Sequence, residues 1–322
     1  MKKTVAFIAA LLAVSIAFAQ YENADAVFEK ITKEYTLNED GSTDFHYFKQ
    51  LRLNSYVAFN RLYGETFIIY NPDFQNLKIN ECYTMMADGT KVEAPDNAFN
   101  EVLPRAAAHS ALYSHLREMV VTHTALERGA TIFLDYTLHT EADFLPALIG
   151  NEIIEESSPV KEMELVVKVP ADVELSHKMY NLRTAPEIMI QGRQKVYTWK
   201  FGGIEASSKE LLQGDYQPRT PRLVFSSAPN AGMLIDWVMD QKAFEYKLNE
   251  EMKTWAASQK DTKDEIGTML NIQKEVAENM AYERVPAEWT GYRVRTPIET
   301  WESNGGNQLE KAILLASLLR AA

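Results

Sequence analysis

The sequence predicts a β-rich N-terminal region, built as one antiparallel β-sandwich or as two sub-sandwiches, followed by an α-helical region. Two features point to the β part. Apolar residues alternate with polar ones through most of residues 21–225, and turn dipeptides separate the alternating runs. A third feature marks the helical part: from about residue 226 the apolar spacing changes from two to between three and four.

The chain opens on a leader. Lys2 and Lys3 precede an apolar run over residues 5–18, broken only by Ser15, and Ala17-Phe18-Ala19 places small residues where a signal peptidase reads. Residues 1–19 are therefore expected to be a signal peptide and Gln20 the mature start, with a periplasmic or secreted destination. The run is shorter than the roughly 20 residues that span a bilayer. No cysteine follows it to take a lipid, and no later stretch reads as a transmembrane anchor.

In the β region, Ile132, Leu134, Tyr136 and Leu138 alternate with polar neighbours, as do Met163, Leu165, Val167 and Val169. Asp40-Gly41, Asp88-Gly89 and Arg128-Gly129 each lie between two such runs and predict hairpins. A change near residues 146–159 suggests two halves. Pro218-Arg219-Thr220-Pro221 reads as the linker to the helical part, residues 226–322. There, one helix is expected from Met233 to about Trp255. A second should carry Ile266, Met269, Leu270, Gln273, Val276, Ala277 and Met280 on its buried face, with Thr262 and Glu265 as its capping box. The last helix carries Leu309, Ala312, Ile313, Leu315, Leu318 and Leu319. It is apolar enough to need covering, so Ala322 is not expected to be the natural end.

Composition narrows the function classes. A hydrophobic content of 46% with 11% aromatics supports a packed core. A net charge of −12 argues against nucleic acid as a partner, because phosphate backbones need basic patches. Cys82 is the single cysteine, so no internal disulfide forms. It lies in an alternating strand with no charged activator in sequence and reads as a buried small hydrophobe. His109, His115 and His123 are spaced by six and eight residues, which matches no common zinc pattern. His139 falls on a polar strand face. Glu152, Glu155 and Glu156 could form a carboxylate pair but read better as a solvated face. Gly202-Gly203 is not a phosphate cradle, and nothing calls for a cofactor or a metal.

The stretch that could hold chemistry runs from Trp301-Glu302-Ser303-Asn304 through Gly305-Gly306-Asn307-Gln308 into Leu309-Glu310-Lys311-Ala312. A Gly-rich turn opens directly into a helix whose N-terminus favours negative charge. It resembles the segment of bacterial transglutaminase-like proteins in which Gly-Asp-Cys-x-Asp-Lys-Ala opens the nucleophile helix of a papain-like α+β domain. Gly306 takes the Gly, Asn307 the Asp, Gln308 the Cys, Glu310 the second acid and Lys311-Ala312 the rest. The β region resembles the β-sandwich domain of unknown function (family 3857) that precedes such domains in exported bacterial proteins. The matching features are Asp40-Gly41, Tyr70-Asn71-Pro72 with Gln75, Asp88-Gly89-Thr90-Lys91 and Leu126-Glu127-Arg128-Gly129.

The resemblance implies a transglutaminase-like fold whose nucleophile position holds Gln308, and a carboxamide is no nucleophile. The partner His and Asp would follow this helix, and no histidine occurs after His177. The implied protein is a non-catalytic binder or scaffold for a peptide, a glycan or an envelope partner. The alternative is an active cysteine hydrolase or acyltransferase acting on envelope peptides. The same residues also spell an ordinary N-cap turn, with Asn307 capping and Glu310 completing a capping box.

Overall fold

The computed structural model describes residue 21 and residues 23–108, 110–207 and 219–322. The expected leader, His109 and Pro218 lie outside the described residues. The β region contains, in chain order, β1 (Ala26–Leu37), β2 (Thr43–Leu53), β3 (Glu65–Tyr70), β4 (Gln75–Met85), β5 (Lys91–Glu93), β6 (Phe99–Val102), β7 (Arg117–Thr122), β8 (Thr131–Thr140), β9 (Ile149–Ile153), β10 (Val160–Pro170), β11 (Ser176–Tyr180), β12 (Glu187–Gln191), β13 (Gln194–Ile204) and β14 (Arg222–Ser226).

Eight of these form one large sheet in the order β12-β13-β10-β1-β2-β8-β4-β5. Two three-stranded sheets, β11-β14-β9 and β3-β7-β6, cover it. Both sit on the face that carries Ile132, Leu134 and Tyr136. Ile132 packs with Leu223 and Phe225 of one small sheet, and Leu134 packs with Ile68 and Val121 of the other. The buried halves of β8 and β10 are the ones their alternation marks: Leu134 and Val167 are fully enclosed. Trp199 on β13 is also fully enclosed. Burying an indole of about 200 Å² contributes about 5 kcal/mol before chain entropy is subtracted.

Three expectations are corrected. The large sheet is mixed, because β1 pairs with β10 in parallel, from Phe28↔Val160 to Thr36↔Lys168. That pair runs the sheet across both sequence halves, so they are not two separate sandwiches. The Asp40-Gly41 and Asp88-Gly89 turns do close hairpins, β1–β2 and β4–β5. The Arg128-Gly129 turn does not. It carries the chain from β7 in a small sheet to β8 in the large one, and the Gly129 N–H donates to Leu53 O at 2.7 Å.

The helical region contains α1 (Ala231–Met239), α2 (Glu250–Ser258), α3 (Glu265–Lys274, continued by a π-turn over Glu275–Asn279), α4 (Pro297–Glu302) and α5 (Gln308–Ala321). The helix expected from Met233 to Trp255 is two helices. A short 3₁₀ turn and Tyr246, at φ +55, break it, and Asn249 caps α2 through the Met252 N–H. Asp264, not Thr262, caps α3. The α3 face is the expected one at Val276 and Met280 and different before them. Ile272, Val276 and Met280 pack against Met252, Ala256, Leu314 and Leu318, while Ile266, Met269 and Leu270 face outward. A further cluster of Ala107, Tyr113, Leu116 and Val285 joins the β region to the helical one. Among the described residues no helix is long and apolar enough to cross a membrane.

Candidate functional site

The N-terminus of α5 is the most elaborately held point in the helical region. Gly305-Gly306 forms strand β16, paired in parallel with β15 (Ala281–Tyr282). Both glycines are there for space. A Cβ on Gly305 would lie 3.1 Å from the Ala281 Cβ, and one on Gly306 would lie 3.0 Å from the Thr300 Cγ2 and 3.1 Å from the Glu310 Cβ. Asn304, at φ +51, turns the chain out of α4 into this pair. Asn307 then caps α5. Its Oδ1 accepts from the Glu310 N–H at 3.0 Å, and Glu310 Oε2 accepts from the Asn307 N–H at 2.9 Å. The capping box read in the sequence is present.

Glu310 does more than cap. It is 1% exposed, and Arg295 grips it in a bidentate pair: Nε donates to Oε1 at 3.0 Å and Nη2 donates to Oε2 at 2.8 Å. Arg295 Nη2 also donates to Glu283 Oε2 at 2.7 Å, and Nη1 donates to Ser303 Oγ at 2.9 Å. Burial by itself would lower the Arg295 guanidinium. The Glu310 hydrogen bonds and charge, with Tyr113 and Glu283, outweigh it and hold the group protonated above its ordinary range. The β region reaches into the same cluster. Tyr113 OH donates to Glu310 Oε1 at 2.9 Å, and Ser110 Oγ donates to Glu283 Oε1 at 2.7 Å. Burial, then the charge of Glu310, raises the Tyr113 phenol. The polar cluster thus fixes the helix N-terminus, the Gly-rich turn and the β region to one another.

Beside it lies an open groove of about 820 Å³, lined on one side by residues 282–288 and on the other by Asn307, Gln308, Leu309 and Ala312. Gln308 is the first residue of α5, exposed, with its side chain in this groove. Leu309 is 42% exposed beside it. Tyr282 carries the Arg284 guanidinium 5.8 Å from its ring centre. The groove wall offers an amide, a guanidinium, carboxylates, an aromatic face and a leucine. Among the described lining residues none is a Cys, Ser, Thr or His. The arrangement can hold an extended chain by hydrogen bonds and apolar contact, and Gln308 itself, a carboxamide, is no nucleophile.

The remaining candidates fall elsewhere. Cys82 is buried, as expected, but it has polar company that its sequence neighbours do not announce. The His123 Nδ1 lies 3.8 Å from its Sγ, His123 Nε2 meets Thr66 Oγ1 at 2.9 Å, and Lys49 Nζ donates to the same Oγ1 at 2.6 Å. Burial pushes the Cys82 thiol up to about 11, the His123 imidazole down to about 3 and the Lys49 ammonium down to about 8. A protonated thiol beside a neutral imidazole in a closed interior is not an activated pair. His115 lies instead against Tyr113, with ring centres 6.4 Å apart. His139 is on its polar face, bonded to Asp44 Oδ1 at 2.7 Å. The acidic cluster is not a solvated face. Glu152 accepts from Lys33 Nζ at 2.9 Å and from the Tyr35 hydroxyl, and burial raises the Glu156 carboxyl despite Lys33 and Lys49 nearby.

Fold and site define a β-rich module docked onto a small helical unit that ends in a grooved helix N-terminus. The profile of DUF3857, a domain of unknown function with a solved structure, matches residues 39–207. That is more than half of the chain, which therefore belongs to this family. A crystal structure of a candidate protease from Parabacteroides distasonis is 38% identical, with a TM-score of 0.84. The match covers 92% of this chain and 59% of that one, so the chain spans less than two thirds of its relative's length. An M1 zinc metallopeptidase from Deinococcus radiodurans aligns at 12% identity over 78% of this chain and 53% of its own, with a TM-score of 0.31. A carbohydrate-binding-module domain from a Clostridium thermocellum scaffoldin aligns at 12% identity over 37% of this chain and 68% of its own, with a TM-score of 0.22. Scores this low define neither a shared fold nor a shared function. A comparison with curated proteins finds no match.

Proposed function

We propose that this chain is an exported, non-catalytic binding protein that holds an extended peptide in the groove at the N-terminus of α5. The single observation that carries the reading is Gln308. A Gly-Gly turn, a capping box and a buried Arg295–Glu310 pair present the first residue of a helix to a groove, and that residue is a carboxamide. The arrangement resembles a transglutaminase-like nucleophile site in which Gln308 stands where the cysteine belongs. The partly apolar, partly polar wall favours a peptide over a glycan, because only one aromatic residue, Tyr282, lines it. Envelope peptides are the expected ligands if the leader directs export.

The likeness to a candidate protease supports the second reading, an active hydrolase or acyltransferase. On that reading a residue other than Gln308 carries the reaction. Both are tested together. The purified chain is incubated with envelope-derived peptides, and binding is followed by calorimetry and cleavage or transamidation by mass spectrometry. The expected result is saturable binding, abolished by Leu309→Arg or Gln308→Arg, with the peptide recovered intact. Turnover by the unmodified chain would overturn the non-catalytic reading. Binding unaffected by both substitutions would remove the groove as the site.

A further inference from the structure

The two edges of the eight-stranded sheet are built in opposite ways. β5 is three residues long, with Lys91 and Glu93 at its ends, the short charged kind that resists further pairing. β12 reads Glu-Ile-Met-Ile-Gln, and all five residues are exposed: Ile190 by 72%, Ile188 by 51% and Met189 by 44%. Among the described residues β12 pairs only with β13, so its outer edge is open. The strand has apolar side chains on both faces and no lysine or proline inside it to discourage a partner.

We infer that this edge is the contact through which two copies of the chain pair, β12 against β12, antiparallel about a twofold axis centred on Met189. The backbone phase allows that register, and centring on Met189 pairs all five residues of the strand. β12 and β13 are joined by a two-residue turn, Gly192-Arg193, with Gly192 at φ +62, and Gln191↔Gln194 is its closing pair. The closing pair of such a turn exchanges both hydrogen bonds. Alternation along the uninterrupted register then aims Gln191, Met189 and Glu187 at β13 and aims the N–H and C=O groups of Ile188 and Ile190 outward. With Met189 on the axis, Ile188 of one copy faces Ile190 of the other. These are the residues with free outward groups, so each pair closes both of its hydrogen bonds.

The side chains agree with the backbone. Ile188 meets Ile190 on one face and Met189 meets Met189 on the other. Ile188 stands opposite the buried Tyr197, so the apolar face of the large sheet would continue across the axis. The charges agree as well. Antiparallel pairing sets Glu187 of one copy opposite Gln191 of the other, twice, so no like charges face each other. An unrelated extended peptide has no reason to match this palindrome, whereas a second copy matches it by symmetry.

Sedimentation velocity of the full chain over about 1–100 µM tests the pairing against ordinary transient affinities. A monomer–dimer equilibrium is expected, and Ile190→Lys should weaken it about tenfold or more while circular dichroism stays unchanged. Cross-linking tests the register. Met189→Cys places two thiols across the axis in a non-hydrogen-bonded pair and should give a disulfide-linked dimer under mild oxidation. Glu187→Cys, which faces Gln191, should not. Cys82 is buried and serves as the silent background. A chain that stays monomeric throughout, including one that captures an added extended peptide on β12 instead, overturns the inference. So does a dimer indifferent to Ile190→Lys, or equal cross-linking by the two cysteine variants.

Discussion

Glu310→Ala is the most informative single change, because Glu310 serves three elements at once. It accepts from Arg295, from Tyr113 and from the Asn307 N–H, and it is 1% exposed. Removing one partner of a buried ion pair costs about 3–5 kcal/mol. The low end applies here, since Arg295 keeps Glu283 and its side chain is 16% exposed. Losing the capping contact adds about 1 kcal/mol. The expected loss is therefore about 4 kcal/mol. Glu310→Gln keeps the shape and one capping acceptor but not the charge, and should lose about half as much. Urea unfolding followed by tryptophan fluorescence reads this directly, because Trp301 and Trp255 pack together in the helical core and Trp289 borders the cluster around Tyr113. A loss below about 1 kcal/mol for Glu310→Ala would show that the cluster is not a buried electrostatic anchor.

Other outcomes follow from the same geometry. Cys82 should resist thiol reagents at pH 8 in the native protein and label fully in denaturant, because its thiol is buried and pushed up to about 11. The His123 imidazole sits near 3 in the fold against about 6.5 when unfolded. The unfolded chain therefore binds the extra proton across that window, and stability should fall as pH drops from 6.5 toward 3. His123→Gln should flatten that part of the profile in urea titrations at stepped pH. Lys49 carries the opposite kind of charge cost. Its ammonium is depressed to about 8, so the penalty is fully present below pH 8 and fades as pH rises toward the unfolded value. Lys49→Met should accordingly raise the melting temperature at pH 7 by more than at pH 9.5. Gly150→Ala should cost about 2 kcal/mol in urea unfolding, since its Cβ would fall 2.1 Å from the enclosed Phe225 ring.

What could be read in advance followed from local period. The buried faces of β8 and β10 and two of three hairpins are visible because each is decided within about ten residues. The Gly-Gly turn and capping box before α5 are legible for the same reason. The α3 face was legible only in part: Val276 and Met280 are buried as expected, but Ile266, Met269 and Leu270 fit helical spacing as well as the buried Ile272 does and face outward. Only tertiary packing chooses between them. The partners of Cys82 were equally hidden. Lys49 reaches it from β2 and His123 from the residue after β7, and no local pattern reports an approach of that kind. The roles of Arg295 and Glu283 were not legible either, because Tyr113 and Ser110 from the β region complete their cluster.

The parallel pair of β1 with β10 has a consequence for how this chain can be made and divided. β1 leaves the ribosome roughly 130 residues before its neighbour at Val160, so the middle of the sheet completes late and folding should be slow for a domain of this size. Until then the β1–β2 hairpin has an open apolar edge, a hazard that favours a holding chaperone or unfolded transit. Division at the family boundary meets the same constraint. Residues 39–207 omit β1 and would leave a gap between β2 and β10 where the core is deepest.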